Sequence, residues 1–210
     1  MISFRHQPVV MFKPIALILF ALLIASCSNK LSHQVTRSTN PITATQTPGD
    51  TLRLDLNQSF VRWTGTALGG MSKHTGTVKL SSGYLLMNGE QIVGGNFVMN
   101  MLSFEPTDIR SEKMKRKFIK HMRSDDFFNT DLYATSSFTI TKATPDSISG
   151  NFTLRDVTKN ITFRYSYKPS VYMRELATAR LVIDKDDWNV PYKRVNDLVE
   201  IQIGLVEKGQ

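Results

Sequence analysis

The chain has 210 residues, and its hydrophobic fraction of 41% is sufficient for one globular domain with an ordinary core. Its single cysteine excludes a disulfide within the chain, so that core has to supply the stability. The formal net charge of +8 raises nucleic acid as a partner, but the basic residues are not interleaved with stacking aromatic side chains, and we discount that class of function.

The N-terminal region has the pattern of a lipoprotein signal peptide. Residues 14–25 form an almost wholly apolar run that follows Arg5 and Lys13. The run is shorter than the ~20 residues that a membrane-spanning helix needs, and its length is typical of a signal-peptide core. Cys27 follows Leu23-Ile24-Ala25-Ser26, which resembles a bacterial lipobox. We therefore predict that residues 1–26 are removed and that Cys27 is lipidated; the alternative is an ordinary secretory signal with an incidental cysteine.

Residues 27–50 are predicted to form a flexible tether. They are rich in Ser, Thr, Asn, Gln and Pro, and their few apolar residues show no sustained period, so they cannot bury enough surface to offset the entropy of ordering. The segment lacks the acidic run that accompanies export to the cell surface in related bacterial lipoproteins. We expect a lipid-anchored protein of the cell envelope that faces the periplasm, at the outer membrane, with a folded domain over residues 51–208.

Beyond the tether, apolar residues recur at every second position, the period of half-buried β-strands. The clearest run alternates Ile161, Phe163 and Tyr165 with polar side chains. Asn88-Gly89 is a strong signal for a tight hairpin between two strands. About eight or nine short strands separated by Gly, Asn, Asp and Pro turns predict an all-β domain, an antiparallel barrel or sandwich.

One helix is predicted among the strands, from about Arg110 to Arg123. Met114, Phe118 and Met122 recur at intervals of four residues, and Lys or Arg residues occupy much of the remaining surface. We favour a solvated helix that lies on one end of the barrel. The alternative is contact between this basic helix (Lys113–Arg123) and anionic lipid headgroups.

The segment after this helix is predicted to begin a second short helix. Ser124 is the candidate N-cap, Asp125 and Asp126 suit a first helical turn, and Phe127 with Phe128 would wedge the helix against a sheet.

The sequence is poor in catalytic signals. His121, close to Asp125 and Asp126, is the only pattern that suggests an acid–base site, and a structural i, i+4 contact between His121 and Asp125 is the better interpretation. No histidine pair has the spacing of metal ligands, and Asp184, Asp186 and Asp187 are interpreted as turn residues. We therefore predict no catalytic residue, no metal site and no cofactor.

The motif order resembles a known family. The stretch from Lys120 to Phe138 carries a His, a cation, Ser-x-x-Phe-Phe, a Tyr and an alternating Ser-x-Phe run. Further motifs are Trp63-Thr64-Gly65, His74-Thr75-Gly76-Thr77-Val78, Gly150-Asn151-Phe152-Thr153-Leu154, Val157-Thr158-Lys159, Ile183-Asp184-Lys185 and Trp188-Asn189-Val190-Pro191-Tyr192. Over roughly residues 52–206 the chain is similar to the YceI-like family of lipid- or polyisoprenoid-binding proteins. It departs from the family at Ala134 and Asn160, where relatives often carry Pro, and in a short loop over residues 192–197 that alters one barrel mouth.

The resemblance implies a lipocalin-like antiparallel β-barrel of about eight strands with one or two short helices between them. It also implies an elongated interior that holds a long isoprenoid chain, an isoprenoid quinone included. The side chains expected to line that interior are Trp63, Phe97, Met99, Met101, Phe127, Phe138, Phe152, Phe163, Tyr165 and Trp188.

The expected function is that of a membrane-anchored carrier of a polyisoprenoid or other long-chain amphiphile, without covalent chemistry. Two other classes stay open at this point: a structural or stress-protective module whose barrel is filled with side chains, and a hydrolase or isomerase that uses His121. The residues alone do not distinguish a hollow barrel from a packed one.

Overall fold

The structure is a computed structural model, and we describe residues 36–44, 47–67, 70, 72–168 and 176–209. The elements are β1 (Ser38–Thr39), β2 (Asp50–Arg53), β3 (Phe60–Thr66), β4 (Lys73–Asn88), β5 (Gln91–Pro106), α1 (Glu112–Arg123), β6 (Thr135–Ala143), β7 (Ser147–Leu154), β8 (Val157–Tyr167), β9 (Ala177–Asp184), a 3-10 helix (Lys185–Trp188) and β10 (Leu198–Leu205). Within these residues no helix is long and apolar enough to cross a membrane.

Eight strands close into an antiparallel barrel. Their order is β8-β7-β6-β5-β4-β3-β10-β9, and β9 pairs back with β8. Strand β2 pairs with the C-terminal half of β4, and β1 pairs with β8. The prediction of an all-β antiparallel barrel of about eight strands, with short helices between strands, is confirmed.

The central hairpin is longer than the sequence predicts. Strands β4 and β5 have 16 residues each and turn tightly after Asn88, where Gly89 adopts a φ of 59° that favours glycine. Along β4 the buried positions change from even numbers (Val78, Leu80) to odd numbers (Leu85, Met87). A register irregularity after Leu80 produces this change of phase without interrupting the strand.

Helix α1 begins and ends with serine caps. The Ser111 hydroxyl accepts from the backbone amide of Met114 at 3.4 Å, and the Ser124 hydroxyl donates to the His121 carbonyl at 2.7 Å. The prediction of Ser124 as the N-cap of a second helix is therefore wrong. A serine hydroxyl both donates and accepts, and here it satisfies a carbonyl that the last helical turn leaves free. The residues that follow form turns, in which the Ser124 carbonyl accepts from the amides of Phe127 and Asn129.

Residues 36–39 lie in the barrel wall. The Thr36 amide donates to the Val182 carbonyl at 2.7 Å, and β1 pairs with β8 through Ser38↔Ile161 and Thr39↔Asn160. The prediction of a free tether up to residue 50 is wrong for this part of the chain. In the described chain β8 and β9 pair with each other only near the end of β8, which leaves backbone groups on both strand edges that need partners.

The barrel has two different ends. At the helix end, which we define by Thr66, Pro106 and Asp184, strands β3, β5 and β9 finish and α1 lies close to their ends. At the hairpin end, which we define by Asn88 and Ala143, strands β4 and β6 finish. Buried aliphatic side chains near the hairpin end include Leu54, Leu85, Met87, Ile92, Ile140 and Ile148.

Candidate functional site: an apolar cavity inside the barrel

An apolar cavity of about 390 Å³ lies inside the barrel. All eight barrel strands contribute to its wall, and Phe118, His121 and Met122 of α1 cover it at the helix end. Its exposed lining residues, Ser72 and Arg194, lie at the same end, so the cavity reaches solvent there. The volume falls within the roughly 300–1,000 Å³ typical of small-molecule sites, and the mainly hydrocarbon lining favours an apolar ligand.

Stacked aromatic rings form the wall below α1. The indole of Trp63 stacks on Phe104 with ring centroids 4.4 Å apart, and Phe118 lies 6.2 Å from Trp63. Trp63 is the register partner of Gly76, and a Cβ at Gly76 would lie 2.3 Å from Cζ2 of the indole. Glycine is therefore required at position 76, because the indole lies flat on the backbone of β4. This contact joins the Trp-Thr-Gly motif to the His-Thr-Gly motif.

His121 lies at the cavity wall within an aromatic cluster. Its ring centroid is 4.6 Å from that of Tyr192 and 5.8 Å from that of Phe127. Its buried Nε2 has no hydrogen-bond partner among the described residues. The expected contact with Asp125 is wrong, since no ion pair or hydrogen bond joins the two side chains in the described chain, and the Asp125 carboxylate instead accepts from the amide of Asp126. The geometry therefore assembles no His–carboxylate pair at this position.

An ion network around the buried Lys185 lies at the mouth of the cavity. The side chain of Lys185 is only 4% exposed, and its ammonium donates to Asp186 at 2.7 Å and to Asp197 at 2.8 Å. Burial by itself disfavours the charged amine, but these hydrogen bonds outweigh it and raise the pKa of Lys185. The hydrogen bond from Lys185 also lowers the pKa of Asp186, with Lys193 as a second donor. The network ties the 3-10 helix to the loop that precedes β10.

The acidic residues near the mouth have structural roles. The Asp184 carboxylate accepts from the Asp186 amide and N-caps the 3-10 helix, and Asp187 accepts from the Ser38 hydroxyl. The interpretation as turn residues agrees with the contact of Asp184, whereas Asp186 pairs with Lys185 and Lys193 and Asp187 bonds a distant part of the chain. Among the described residues no group of three or more His, Cys, Asp or Glu side chains is placed to hold a metal ion.

A second, smaller cavity of about 60 Å³ lies toward the hairpin end. Its surface is wholly apolar, and its wall includes Phe97, Ile140, Ile148 and Tyr165. The Tyr165 hydroxyl is satisfied outside this cavity by donating to the Thr144 carbonyl at 2.9 Å. Four residues line both cavities: Val61, Phe138, Phe163 and Ile203.

The structure separates the ten predicted lining residues into three groups. Seven line the larger cavity: Trp63, Met99, Met101, Phe127, Phe138, Phe152 and Phe163. Phe97 and Tyr165 line the smaller cavity. Trp188 lies outside both, so its placement in the cavity wall is wrong. Its indole is fully buried, packs edge-on against Phe152 at 5.2 Å and donates to the Phe152 carbonyl at 3.1 Å, which gives it a packing role behind the wall.

Other lining residues were not predicted. Phe104 is missed because β5 is irregular between Asn100 and Glu105, so that Met101 and Phe104, three positions apart, are both buried. A period of two cannot place both on one face. Tyr192 belongs to a loop without a period, and the only signal for it was its position in a family motif. Phe118 and Met122 belong to the apolar stripe predicted for the helix but not to the predicted site, and Met114 of the same stripe is 55% exposed.

The comparisons with known proteins agree with this fold. Residues 52–206 match the family model of the YceI-like domain, and no match is found among curated proteins. The crystal structure of Burkholderia cenocepacia BcnA has a TM-score of 0.60 at 17% identity, covering 74% of this chain and 99% of that one. A Campylobacter jejuni YCEI protein aligns at 13% identity with a TM-score of 0.49, covering 62% and 84%. At 17% identity the BcnA structure shows a shared fold alone. Because the family model extends from β2 to just beyond β10, the chain belongs to the YceI-like family.

Proposed function

We propose that this protein binds a long-chain amphiphile inside its barrel, with a polyisoprenoid lipid as the favoured class. The observation that carries the proposal is the apolar cavity of about 390 Å³ that reaches solvent at the helix end. Protein interiors normally contain few voids larger than a water molecule. A void of this size therefore supports a ligand-holding barrel over a structural module with a filled core, and membership of the YceI-like family is consistent with binding a hydrophobic ligand.

The chemistry of the lining favours a chain with one polar head. Each methylene that leaves water for such a lining contributes about 0.8 kcal/mol. Polar side chains of the lining cluster at the helix end and include His74, Arg194 and Asn196. A head group at this mouth keeps polar partners or water, whereas a compact polar metabolite deeper in the barrel would lose them at a cost in free energy.

Binding without turnover is the better-supported activity. The buried Nε2 of His121, the residue on which the hydrolase or isomerase alternative depends, has no hydrogen-bond partner among the described residues. Its aromatic neighbours suit a ring that packs against a bound chain. The proposed role is storage or transfer of the intact lipid, with no cofactor.

The proposed place of action is the periplasmic face of the cell envelope, at the outer membrane. Cys27, the proposed lipid anchor, lies outside the described residues. Nine residue steps separate it from Thr36 in the barrel wall, which at ~3.6 Å per residue span at most ~32 Å in any conformation. Such an anchor would hold the barrel close to the bilayer that contains its ligand.

Helix α1 is the proposed surface for contact with that bilayer. Lys113, Arg116, Lys117 and Lys120 are exposed and form no ion pair within the described chain, whereas Lys115 pairs with Glu105. Met114, 55% exposed, lies among these cations. A cationic helix beside the cavity mouth would favour anionic headgroups and bring the mouth to the lipid.

The test is mass spectrometry of an organic extract from protein purified from its membranes. We expect a stoichiometric long-chain lipid in the extract of the wild type, and a reduced amount from Ile201→Trp, which adds volume to the cavity wall. An extract without lipid, together with no uptake of added isoprenol by the stripped protein, would contradict the proposal. For the anchor, Cys27→Ala should no longer partition into detergent; an unmodified, soluble wild type would contradict lipidation.

A further inference from the structure

Four side chains line both the larger and the smaller cavity and so lie between them: Val61, Phe138, Phe163 and Ile203, which we call the constriction. We propose that Phe138 and Phe163 set the length of chain that the barrel accepts, and that the smaller cavity receives the far end of any chain long enough to part their rings. The inference rests on the proposed function and adds a specificity determinant and a second subsite to it.

The constriction is built from opposite sides of the barrel. Strand β6, which carries Phe138, and strand β10, which carries Ile203, are separated by three strands in either direction around the barrel. Val61 is the register partner of Ile203, so these two side chains form one aliphatic wall. The rings of Phe138 and Phe163 form the facing wall, with centroids 5.5 Å apart and planes inclined by 43°. A chain that enters from the helix end meets this gap before it reaches the smaller cavity.

The two rings are arranged so that they can yield. Both are only half-buried and border both cavities, so each has empty volume beside it into which the ring can turn. Phe138 is seated against the backbone of β7, where a Cβ at Gly150 would lie 2.3 Å from its Cζ. The ring can occupy this position only because residue 150 is glycine. The backbone of β7 then blocks rotation of the ring in one direction. The ring is therefore held against β7 on one side and borders the two cavities on its other sides.

The smaller cavity suits a hydrocarbon end and nothing else. Its surface is wholly apolar, and the hydroxyl of Tyr165 in its wall is already satisfied by the Thr144 carbonyl. A polar head placed there would find no hydrogen-bond partner. The chain must therefore enter tail first, with its head left at the helix end. Affinity should rise about fourfold for each added methylene until the tail meets the two rings, and less steeply beyond that length.

The experiment measures affinity against chain length. Linear isoprenols of increasing length, and saturated fatty acids as a series with finer steps, are titrated into the stripped full-length protein by displacement of a bound fluorescent probe. In Phe138→Ala and Phe163→Ala we expect the steep part of the curve to extend to longer chains. We call the chain length at which the steep part ends the break. In Phe138→Ala combined with Ala177→Leu, which fills the smaller cavity, the break should return toward its wild-type length.

Matched controls separate the constriction from the rest of the wall. Phe152→Ala removes a ring that lines only the larger cavity, and should change affinity at all lengths without moving the break. If either alanine variant fails to fold, Phe138→Leu and Phe163→Leu keep most of the volume and should move the break in the same direction by less.

The outcomes distinguish the inference from the proposed function. If wild type and variants bind chains but the break stays at one length in all of them, the constriction does not select length and the inference is wrong. If the wild type binds no chain of either series, the proposed function itself fails. A break that moves equally in Phe152→Ala would also overturn the inference.

Discussion

The two ends of the barrel are built from the same eight strands, yet their interiors are filled differently. Near the hairpin end, Leu85 and Ile140 are 1% and 2% exposed and the remaining void is about 60 Å³. Toward the helix end, Leu181 is nearly as well removed from water at 5% exposed, but it borders the void of about 390 Å³. Exclusion of water and close packing are thus separate properties in this molecule.

The shapes of the side chains account for the difference. Near the hairpin end, aliphatic side chains pack closely on the backbone of β5: a Cβ at Gly95 would lie 3.2 Å from Cδ1 of Ile140 and 3.3 Å from Cδ2 of Leu85. At the helix end, Trp63, Phe104 and Phe118 stack on one another along the wall, and Trp63 lies flat over Gly76. Flat rings placed along a wall exclude solvent over a large area without extending into the middle.

The largest expected effect is on stability and compares two leucines. Leu85→Ala should cost about 3–5 kcal/mol, the loss of transfer free energy plus the cavity that it creates in a packed region. Leu181→Ala should cost only about 2 kcal/mol in the stripped protein, because its side chain already borders empty space. Urea unfolding of both variants checks this. Equal losses would mean that both ends are packed alike and that the cavity closes in solution.

A second prediction concerns the ion network at the mouth. Lys185→Met removes an ammonium whose side chain is 4% exposed, and Asp186 and Asp197 lose their hydrogen-bond donor. We expect the free energy of unfolding to fall by about 2–3 kcal/mol. Lys193→Met is the control, since its amine is 69% exposed and also pairs with Asp186. It should cost under about 1 kcal/mol. Similar losses in the two variants would contradict a buried role for Lys185.

A third prediction compares the surfaces of the two ends. Neutralising Lys113, Lys117 or Lys120 should weaken binding of the unlipidated domain to anionic vesicles by about 1 kcal/mol each at low salt. Lys142→Ala, an exposed cation at the hairpin end, should have no effect. If binding does not depend on salt, or if Lys142→Ala weakens it as much as the substitutions on α1, then α1 is a solvated helix with no role in membrane contact.

The smallest effect is a pH dependence at the mouth. The pKa of Asp186 is lowered from an ordinary 3.8 by its hydrogen bond from Lys185, so this contribution is present above pH 3.8 and is lost as pH falls through the lower native value. The pKa of Lys185 is raised from 10.5, so its contribution persists below pH 10.5 and is lost as pH rises beyond that. The Tm difference between wild type and Lys185→Met should therefore be constant between these limits and shrink outside them. A difference that varies around neutral pH would point to another group.

The sequence predicts the barrel well where its strands are regular. In β8, Ile161, Phe163 and Tyr165 alternate without a bulge, and all three line a cavity as their shared face implies. Asn88-Gly89 likewise predicts the turn of the longest hairpin. In both cases one local rule determines the structure, so a single segment carries enough information.

The predictions fail where contacts with residues distant in the sequence determine the position of a side chain or segment. The irregular segment of β5 places Phe104 in the wall beside Met101, and a bulge is not visible in an apolar pattern. Residues 36–39 join the wall because β8 and β9 leave strand edges unpaired, which the composition of the segment does not reveal. In the sequence, Trp188 is not distinguishable from other large apolar residues. In the structure, its hydrogen bond to the Phe152 carbonyl holds it behind the cavity wall. The size of the void follows from the packing of all strands together.

The central claim is that the larger cavity is open and receives a hydrocarbon chain, and the two tryptophans of the chain allow a direct measurement. Trp63 lines the larger cavity and Trp188 lies outside both cavities. A linear isoprenol titrated into the stripped protein should change the tryptophan emission saturably, and Trp63→Phe should abolish that change. No saturable change in the wild type, or the same change in Trp63→Phe, would contradict the account.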